Sequence, residues 1–301
     1  MTHVRQIKRI KRAGAAGFRY LFLVGLSFLI LYPLAVTVLI SFMTISDIYD
    51  SAVRFIPKSP SLDNYRDALI FLDYGSTVAK SVLLNVALCT VEMAACLLIA
   101  YGFARFHFRG SRLLFGCVLL TLLVPSHIYF TPLYLSFQSY GPFGWNLLET
   151  PLPLFLLSLT GVGLKDGLVI YIMRQFFRGY PKELEEAASI DGAGTMHTFT
   201  AVMLPGALPV TATCFLFTFV WKWTDPTYTE LFMPRSEFIW TKLATIGSSL
   251  QLLPAALRND NYYVAILQNT SLVLYVLPLV VLFLICKRFL VESIETTGLV
   301  G

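Results

Sequence analysis

Residues 20–46 read "YLFLVGLSFLILYPLAVTVLISFMTIS" and hold no Asp, Glu, Lys or Arg. A hydrocarbon core about 30 Å thick is crossed by about 20 helical residues at about 1.5 Å rise each. This run is long enough. Residues 113–148, 198–221 and 261–286 are equally free of charge, and 81–104 hold only Glu92. Of 301 residues, 56% are hydrophobic and 14% charged, against roughly 25% charged in an average soluble domain. A soluble chain of this make-up would expose large adhesive patches. The expected class is an all-α integral membrane protein that crosses the bilayer several times.

The apolar stretch at 20–46 exceeds the roughly 7–15 residues of a signal-peptide core, and no A-x-A-like site follows it, so it reads as an uncleaved first span. Before it lie Arg5, Lys8, Arg9, Lys11, Arg12 and Arg19 with no acid. A basic arm can bind nucleic acid. Beside a span, the excess of bases on cytoplasmic segments makes it a membrane anchor instead, with lipid and not nucleic acid as its partner. Six spans are expected at about 18–43, 77–103, 113–137, 152–177, 204–223 and 263–286. They divide the chain into a basic tail, 1–17, and one membrane domain, 18–301. With the N-terminus inside, "RFHFRGSR" (105–112), the segment 178–204 and Lys287 with Arg288 all fall inside, which puts both termini in the cytoplasm. The outer segments are poor in bases or net acidic: 44–75 carries Asp47, Asp50, Asp63, Asp67 and Asp73, and 138–150 holds no base. Within the longest outer connection, 225–262, "TKLATIGSSLQLL" (241–253) predicts a short interfacial helix.

The fourth span contains "TGVGLKDGL" (160–168), with three glycines and the charges Lys165 and Asp166 at its centre. Glycine and charge at membrane depth are tolerated where they face protein or a wet cavity. Two readings stay open: a broken helix beside a translocation path, or a shorter helix starting near Gly167 with 151–166 as an outer loop.

Between spans four and five lies "PKELEEAASIDGAG", residues 181–194. Pro181 suits a first helical position because it has no N–H to leave unsatisfied. Glu183, Glu185 and Glu186 follow at the positive end of the helix dipole. Leu184, Ala187 and Ala188 form one small apolar face. Gly192 suits the stop, since glycine takes a left-handed conformation cheaply. A second helical stretch, "TMHTFTAVML", runs up to Pro205, which disfavours helix at Leu204. The pattern describes an amphipathic elbow whose carboxylates can meet arginines of another surface. It also fits a plain surface linker.

This segment resembles the signature loop of permease subunits in binding-protein-dependent ABC importers: Glu-Ala-Ala, three residues, Gly, nine residues, Ile-x-Leu-Pro. Here it is Glu186-Ala187-Ala188, Gly192, then Val202-Met203-Leu204-Pro205, with the spacing intact. "RQFFRGYPKELEEAASIDGAG", "PSLDNYRDAL", "AYGFARFHFRGSR" and "FVWKWTDP" are similar to the carbohydrate branch, specifically the six-span maltose-type partner of a permease heterodimer. The resemblance covers most of the chain. It implies half a translocation channel, completed by a second permease. It also implies two cytoplasmic ATP-binding subunits that use ATP and Mg, an extracytoplasmic solute-binding protein, and a place in the cell inner membrane. Coupling to the ATPases would run through Glu185, Glu186, Ala187, Ala188, Asp191, Gly192, Leu204 and Pro205. The tail "ETTGLVG" departs from the family's Lys-Gly ending at Val300, and lacks a glycine near Ser293. "TDP" at 224–226 stands where Asn-Asp-Phe is usual.

No G-x-x-x-x-G-K-[ST] is present, so the chain is not expected to bind ATP by a P-loop, nor any cofactor of its own. H-E-x-x-H and G-x-S-x-G are absent too. The five cysteines sit in apolar runs with no C-x-x-C, which reads as buried small hydrophobes and no metal site. Of the four histidines, only His127 lies within a span. Polar and aromatic residues at membrane depth are the candidate solute pathway: Asn85, Glu92, His127, Tyr129, Trp221 and Trp223. Aromatic faces suit sugar C–H surfaces and scattered polar groups suit its hydroxyls. Trp221 and Trp223 also suit an interfacial belt. A permease for a polyamine or phosphate would carry more intramembrane charge than this. A membrane-embedded enzyme would need a catalytic pair among Glu92, His127, Lys165 and Asp166, and their spacing orders none.

Overall fold

The structure, a computed structural model, describes residues 2–125, 127–163, 165–246 and 260–298, with side chains for residue 14 and within 16–290. The regular structure of the described residues is helical, with no strand beyond one isolated bridge, Tyr140 to Trp145. They fall into two compact units, Met1–Tyr74 with Leu243–Val276 and Gly75–Lys242 with Leu277–Gly301.

In the first unit, helix α1 (Thr2–Ser41) carries an apolar stretch, Ala16–Ser41, whose side chains face outward along most of its length. Its last carbonyls have no intrahelical partner. Asn64 supplies one, donating from Nδ2 to the carbonyls of Ser41 (2.9 Å) and Met43 (2.8 Å). A short helix, α2 (Ile45–Tyr49), opens on a reciprocal cap: Thr44 Oγ1 accepts from the Asp47 N–H, and Asp47 accepts from the Thr44 N–H. Burial opposes charge on Asp47, but hydrogen bonds from Thr44 and from the main chain at Ser59 and Lys58 outweigh it and hold the carboxyl below its usual range. Helix α3 (Asp63–Phe71) presents Asp67 to the hydroxyl of Tyr263, which donates at 2.6 Å.

The second unit holds most of helix α4 (Tyr74–Arg105), then α5 (Ser111–Leu120), α6 (His127–Gln138), α7 (Leu152–Thr160), α8 (Asp166–Gly179) and α9 (Glu183–Ile190). Next come α10 (Thr195–Thr198), a π-helical turn (Phe199–Met203), α11 (Leu204–Gly206), α12 (Leu208–Thr224), α13 (Thr227–Phe232) and the first half of α14 (Ile239–Thr245). Helix α15 (Asn261–Gly298) ends the chain, with the apolar part Asn261–Leu290.

Six unbroken spanning helices do not form among the described residues. Ala16–Ser41, Tyr74–Arg105 and Asn261–Leu290 are single helices long and apolar enough to cross a membrane. The expected span 113–137 is α5 plus α6, parted by a turn at 121–125, where Pro125 cannot donate and disfavours helix at the residue before it. The expected span 152–177 is α7 plus α8. Gly161 (φ +69°) caps α7 in the left-handed region, and Lys165 (φ +61°) stands there too. Residues 152–160 are helical, so of the two readings of span four the broken helix is the one that forms. The fifth expected span, 204–223, forms chiefly as α12 (Leu208–Thr224), which bends by 74° from the preceding stretch Thr195–Gly206. Contrary to expectation, Leu204 stays helical before Pro205 (φ −66°, ψ −44°). The π-helical turn upstream shifts the hydrogen-bond register, and Pro205 falls in a first turn, where no N–H is needed. The interfacial helix expected at 241–253 forms as α14 at 239–245, while 247–253 lie outside the described residues.

The unit packs around Met173, Phe177, Met203, Cys96 and Ala100, all essentially inaccessible. Tyr101 sits edge-on to Phe106 and Phe177, and 4.9 Å from the Phe199 ring centre. Gly167 lets α8 cross α5 closely. A Cβ there would lie 2.7 Å from Thr121 Oγ1 and 2.8 Å from the Val118 carbonyl oxygen. Backbone cannot step aside as a side chain can. Gly167→Leu is therefore expected to cost about 2–3 kcal/mol through overpacking. The check is the temperature at which the detergent-purified chain loses its monodisperse peak. Gly179→Leu, where an added Cβ meets nothing within 4 Å, is expected to leave it unchanged.

Candidate functional site

Helix α8 ends at Gly179, and Tyr180 turns the chain into extended backbone (φ −71°, ψ 137°) before Pro181. Helix α9 starts two residues after Pro181, not at it. Lys182 occupies the cap position, and its carbonyl takes the N–H groups of Glu185 and Glu186 at 3.0 Å each. Glu183, Glu185 and Glu186 fill the first turn, where the helix dipole favours them. The far end closes as a Schellman motif. The Gly192 N–H reaches the Ser189 carbonyl (3.1 Å), the Ala193 N–H reaches the Ala188 carbonyl (2.9 Å), and Gly192 takes φ +83°.

Exposure divides this helix in two. Glu183, Leu184, Glu186, Ala187 and Ile190 are exposed, as are Asp191 and Gly192 beyond it. Glu185 and Ala188 turn inward. Glu185 Oε1 lies 3.1 Å from Nε of Arg105, the last residue of α4, with the side chains 22% and 7% exposed. Arg105 Nη2 also donates to the Tyr180 carbonyl at 2.8 Å. The Tyr180 ring lies so near Gly206 that a Cβ there would sit 2.1 Å from its hydroxyl oxygen. Leu204 is half-buried and Pro205 exposed beside it. A surface groove of about 490 Å³ opens alongside, lined by Arg105, His107, Arg178, Lys182, Glu185 and Glu186. Arg105, a plain interfacial base in the sequence, is thus the joint between α4 and the acidic elbow.

Deeper in the unit the candidate pathway residues separate. Glu92 is fully buried, with Oε2 2.8 Å from Lys222 Nζ of α12. Asn85, one helical stretch earlier on α4, is buried and lines a cavity of about 30 Å³ with Ser158, Lys222, Asp225 and Tyr228. Such a space holds about one water. Tyr129 shares a hydroxyl–hydroxyl hydrogen bond with Tyr228 (3.1 Å) and lines a second cavity of about 390 Å³ with Thr121, Gly163, Lys165 and Asp166, at the break between α7 and α8. Trp221 lies under the Lys165 ammonium, 4.6 Å from it. His127 packs edge-on to Phe130. Trp223 is fully buried, stacked on Phe219 and edge-on to Trp240. Lys222 escaped the sequence reading, because a lysine at the end of an apolar run looks like a solvated flank.

Residues 96–295 match the family described as the inner membrane component of binding-protein-dependent transport systems. The chain is 29% identical over 245 residues to the alpha-glucoside transport system permease protein AglG of Rhizobium meliloti, covering 81% of this chain and 62% of that one. It is 30% identical over 223 residues to the diacetylchitobiose uptake system permease protein NgcG of Streptomyces coelicolor, with 72% and 71% covered. The arabinooligosaccharides transport system permease protein AraQ of Halalkalibacterium halodurans is 23% identical over 97% of this chain and 100% of its own length. The chain thus spans about three fifths of the first relative and all of the third. A solved bacterial ABC transporter involved in import of the acidic polysaccharide alginate shares the fold, with a TM-score of 0.73 at 18% identity over 91% of this chain and 96% of that one. With its several long apolar helices and a family match over two thirds of its length, this multi-pass membrane protein belongs to the binding-protein-dependent transport system inner membrane components, the permeases of ABC importers.

Proposed function

We propose that the chain is one permease subunit of an ATP-driven importer and forms half of the route for a sugar or oligosaccharide. The observation that carries this is the elbow itself. Within the matched family region, Glu186, Ala187 and Ile190 stand exposed on a helix that Glu185 ties back to α4. A linker with no docking role has no reason to present an apolar stripe, with Ile190 at 86% exposure, on a helix bound so firmly behind. On this reading residues 178–204 dock into a cytoplasmic ATPase, with Asp191, Gly192, Leu204 and Pro205 setting the elbow's shape. ATP and Mg are used by two such partner subunits, not by this chain. A second permease completes the channel, and an external solute-binding protein delivers the solute. Sugar is the solute class that the relatives' names support. Asn85 and Tyr129, which line the cavities, Trp221 under Lys165, and His127 are the proposed wall of the route. Lipid, or the second permease, covers α1.

Each broken pair counts as one crossing in this scheme. The 22 helical residues of α5 and α6 and the 23 of α7 and α8 give about 33 Å each at the α-helical rise, enough for a bilayer. Six crossings then leave both termini and the elbow in the cytoplasm. Single cysteines placed at Ser189 and Ser61, in a chain whose native cysteines are replaced, are expected to react with an impermeant thiol reagent from opposite sides of sealed vesicles. Reaction of both from one side rejects the topology.

A further inference from the structure

Three charged side chains from three elements meet inside the second unit: Glu92 of α4, Asp166 at the start of α8 and Lys222 of α12. Lys222 is paired with Glu92 at 2.8 Å. Asp166, 1% exposed, stands within hydrogen-bonding reach of Glu92. Its Oδ2 accepts the Gly163 N–H at 2.7 Å, so one carboxylate oxygen is served. Asp166 Oδ1 and Glu92 Oε1 are buried with no hydrogen-bond partner. Lys222 is the cation paired with the cluster, while Lys165, which lines the same cavity as Asp166, lays its ammonium over the Trp221 ring. Cys89 and Cys96 of α4 and Tyr228 of α13 are the other titratable groups within electrostatic reach, and all three are neutral in their ordinary state.

Two buried carboxylates facing one ammonium leave an uncompensated negative charge, which an apolar interior tolerates poorly. They also leave Asp166 Oδ1 and Glu92 Oε1 buried as acceptors that no donor serves. One proton removes both faults: it neutralises the cluster and turns one carboxyl into the missing donor. We propose that Glu92 and Asp166 form a proton-binding site that holds a single proton between them, carried on Asp166 Oδ1 and donated to Glu92, whose other oxygen pairs with Lys222. The neutral triad fastens the break between α7 and α8 to α4 and α12. Glu92 in this role is a charge-balanced clip and not a solute contact. The inference does not depend on the solute or on ATPase docking.

The test is infrared difference spectroscopy on the full chain, purified with its copurifying partners through a tag on this chain. The wild type minus Glu92→Gln, and minus Asp166→Asn, are each expected to show one protonated-carboxyl C=O band that shifts on transfer to D₂O. Each single amide leaves one carboxylate opposite Lys222, so the remaining acid ionises, the band disappears and the folded complex accumulates as before. The double variant Glu92→Gln/Asp166→Asn strands Lys222 without a partner, and accumulation is expected to fall about tenfold or more, as for a broken buried pair. Absence of the band from the wild type overturns the proposal, since both acids are then ionised. Persistence of the band in the single variants overturns it as well, and so does collapse of the complex on either single substitution.

Discussion

Glu186→Lys and Gly192→Val are expected to abolish the rise in ATP hydrolysis that solute and binding protein produce, while the chain still folds and inserts. Glu186 is exposed on the first turn of α9, lines the groove beside it and makes no ion pair among the described residues. Reversing its charge therefore leaves the fold alone. At a docking surface where carboxylates meet cations, the new lysine faces like charge at about 4 Å, worth about 1–4 kcal/mol according to burial. Each 1.4 kcal/mol is about tenfold in affinity, so docking should weaken by about tenfold or more. Gly192 acts differently. Its φ of +83° belongs to the left-handed region, where an L-residue loses about 1–2 kcal/mol and a β-branched one more. An added side chain meets nothing within 4 Å, so valine fails there by backbone strain alone. The Schellman closure opens and α10 leaves its angle to α9. Gly192→Asn, which tolerates this conformation, is expected to retain most activity. Wild-type stimulation in both Glu186→Lys and Gly192→Val would remove the elbow from the coupling path.

How far the sequence carries the fold depends on the distance over which each signal acts. The long apolar runs state their own class, because bilayer thickness sets a length that composition alone can meet or miss. The left-handed stop at Gly192 was legible because glycine's freedom is a property of one residue. The breaks at 121–125 and 161–163 were visible only in part. Gly161, Gly163 and Gly167 raised one of them, while Pro125 lay in a run so apolar that hydropathy masked it. Pairing across the chain was not legible at all. Glu92 with Lys222 and Arg105 with Glu185 join elements far apart in sequence, and nothing in the local pattern around one partner marks the other. Lys222 and Arg105 both sit at the ends of apolar helices, where bases are commonplace. The sequence pattern therefore located the elbow well and the charged interior poorly, because the first is local chemistry and the second is tertiary placement.

The pair of Arg105 and Glu185 makes the sharper prediction about how the elbow works. Its side chains are 7% and 22% exposed, between a surface ion pair worth about 0–1 kcal/mol and a buried one that costs about 3–5 kcal/mol to break. Arg105→Gln should thus cost about 2–3 kcal/mol at this joint, since it strands Glu185 and takes a charged donor from the Tyr180 carbonyl. If α9 moves α4 through this contact, the loss falls on transmission and not on docking. Partner ATPase should still copurify and basal hydrolysis should persist, while solute uptake into proteoliposomes drops about tenfold or more, in line with a joint loosened by that energy. The reversed pair Arg105→Glu/Glu185→Arg is expected to recover part of the uptake, because the ion pair can re-form although the Tyr180 bond cannot be counted on. A double-mutant cycle on uptake then reports the coupling between the two side chains. Equal loss of assembly and uptake in Arg105→Gln, with no recovery in the reversed pair, would make the contact a fold support alone. Glu186→Lys fails earlier, at docking, so the two substitutions separate binding of the ATPase from what its motion does to the membrane helices.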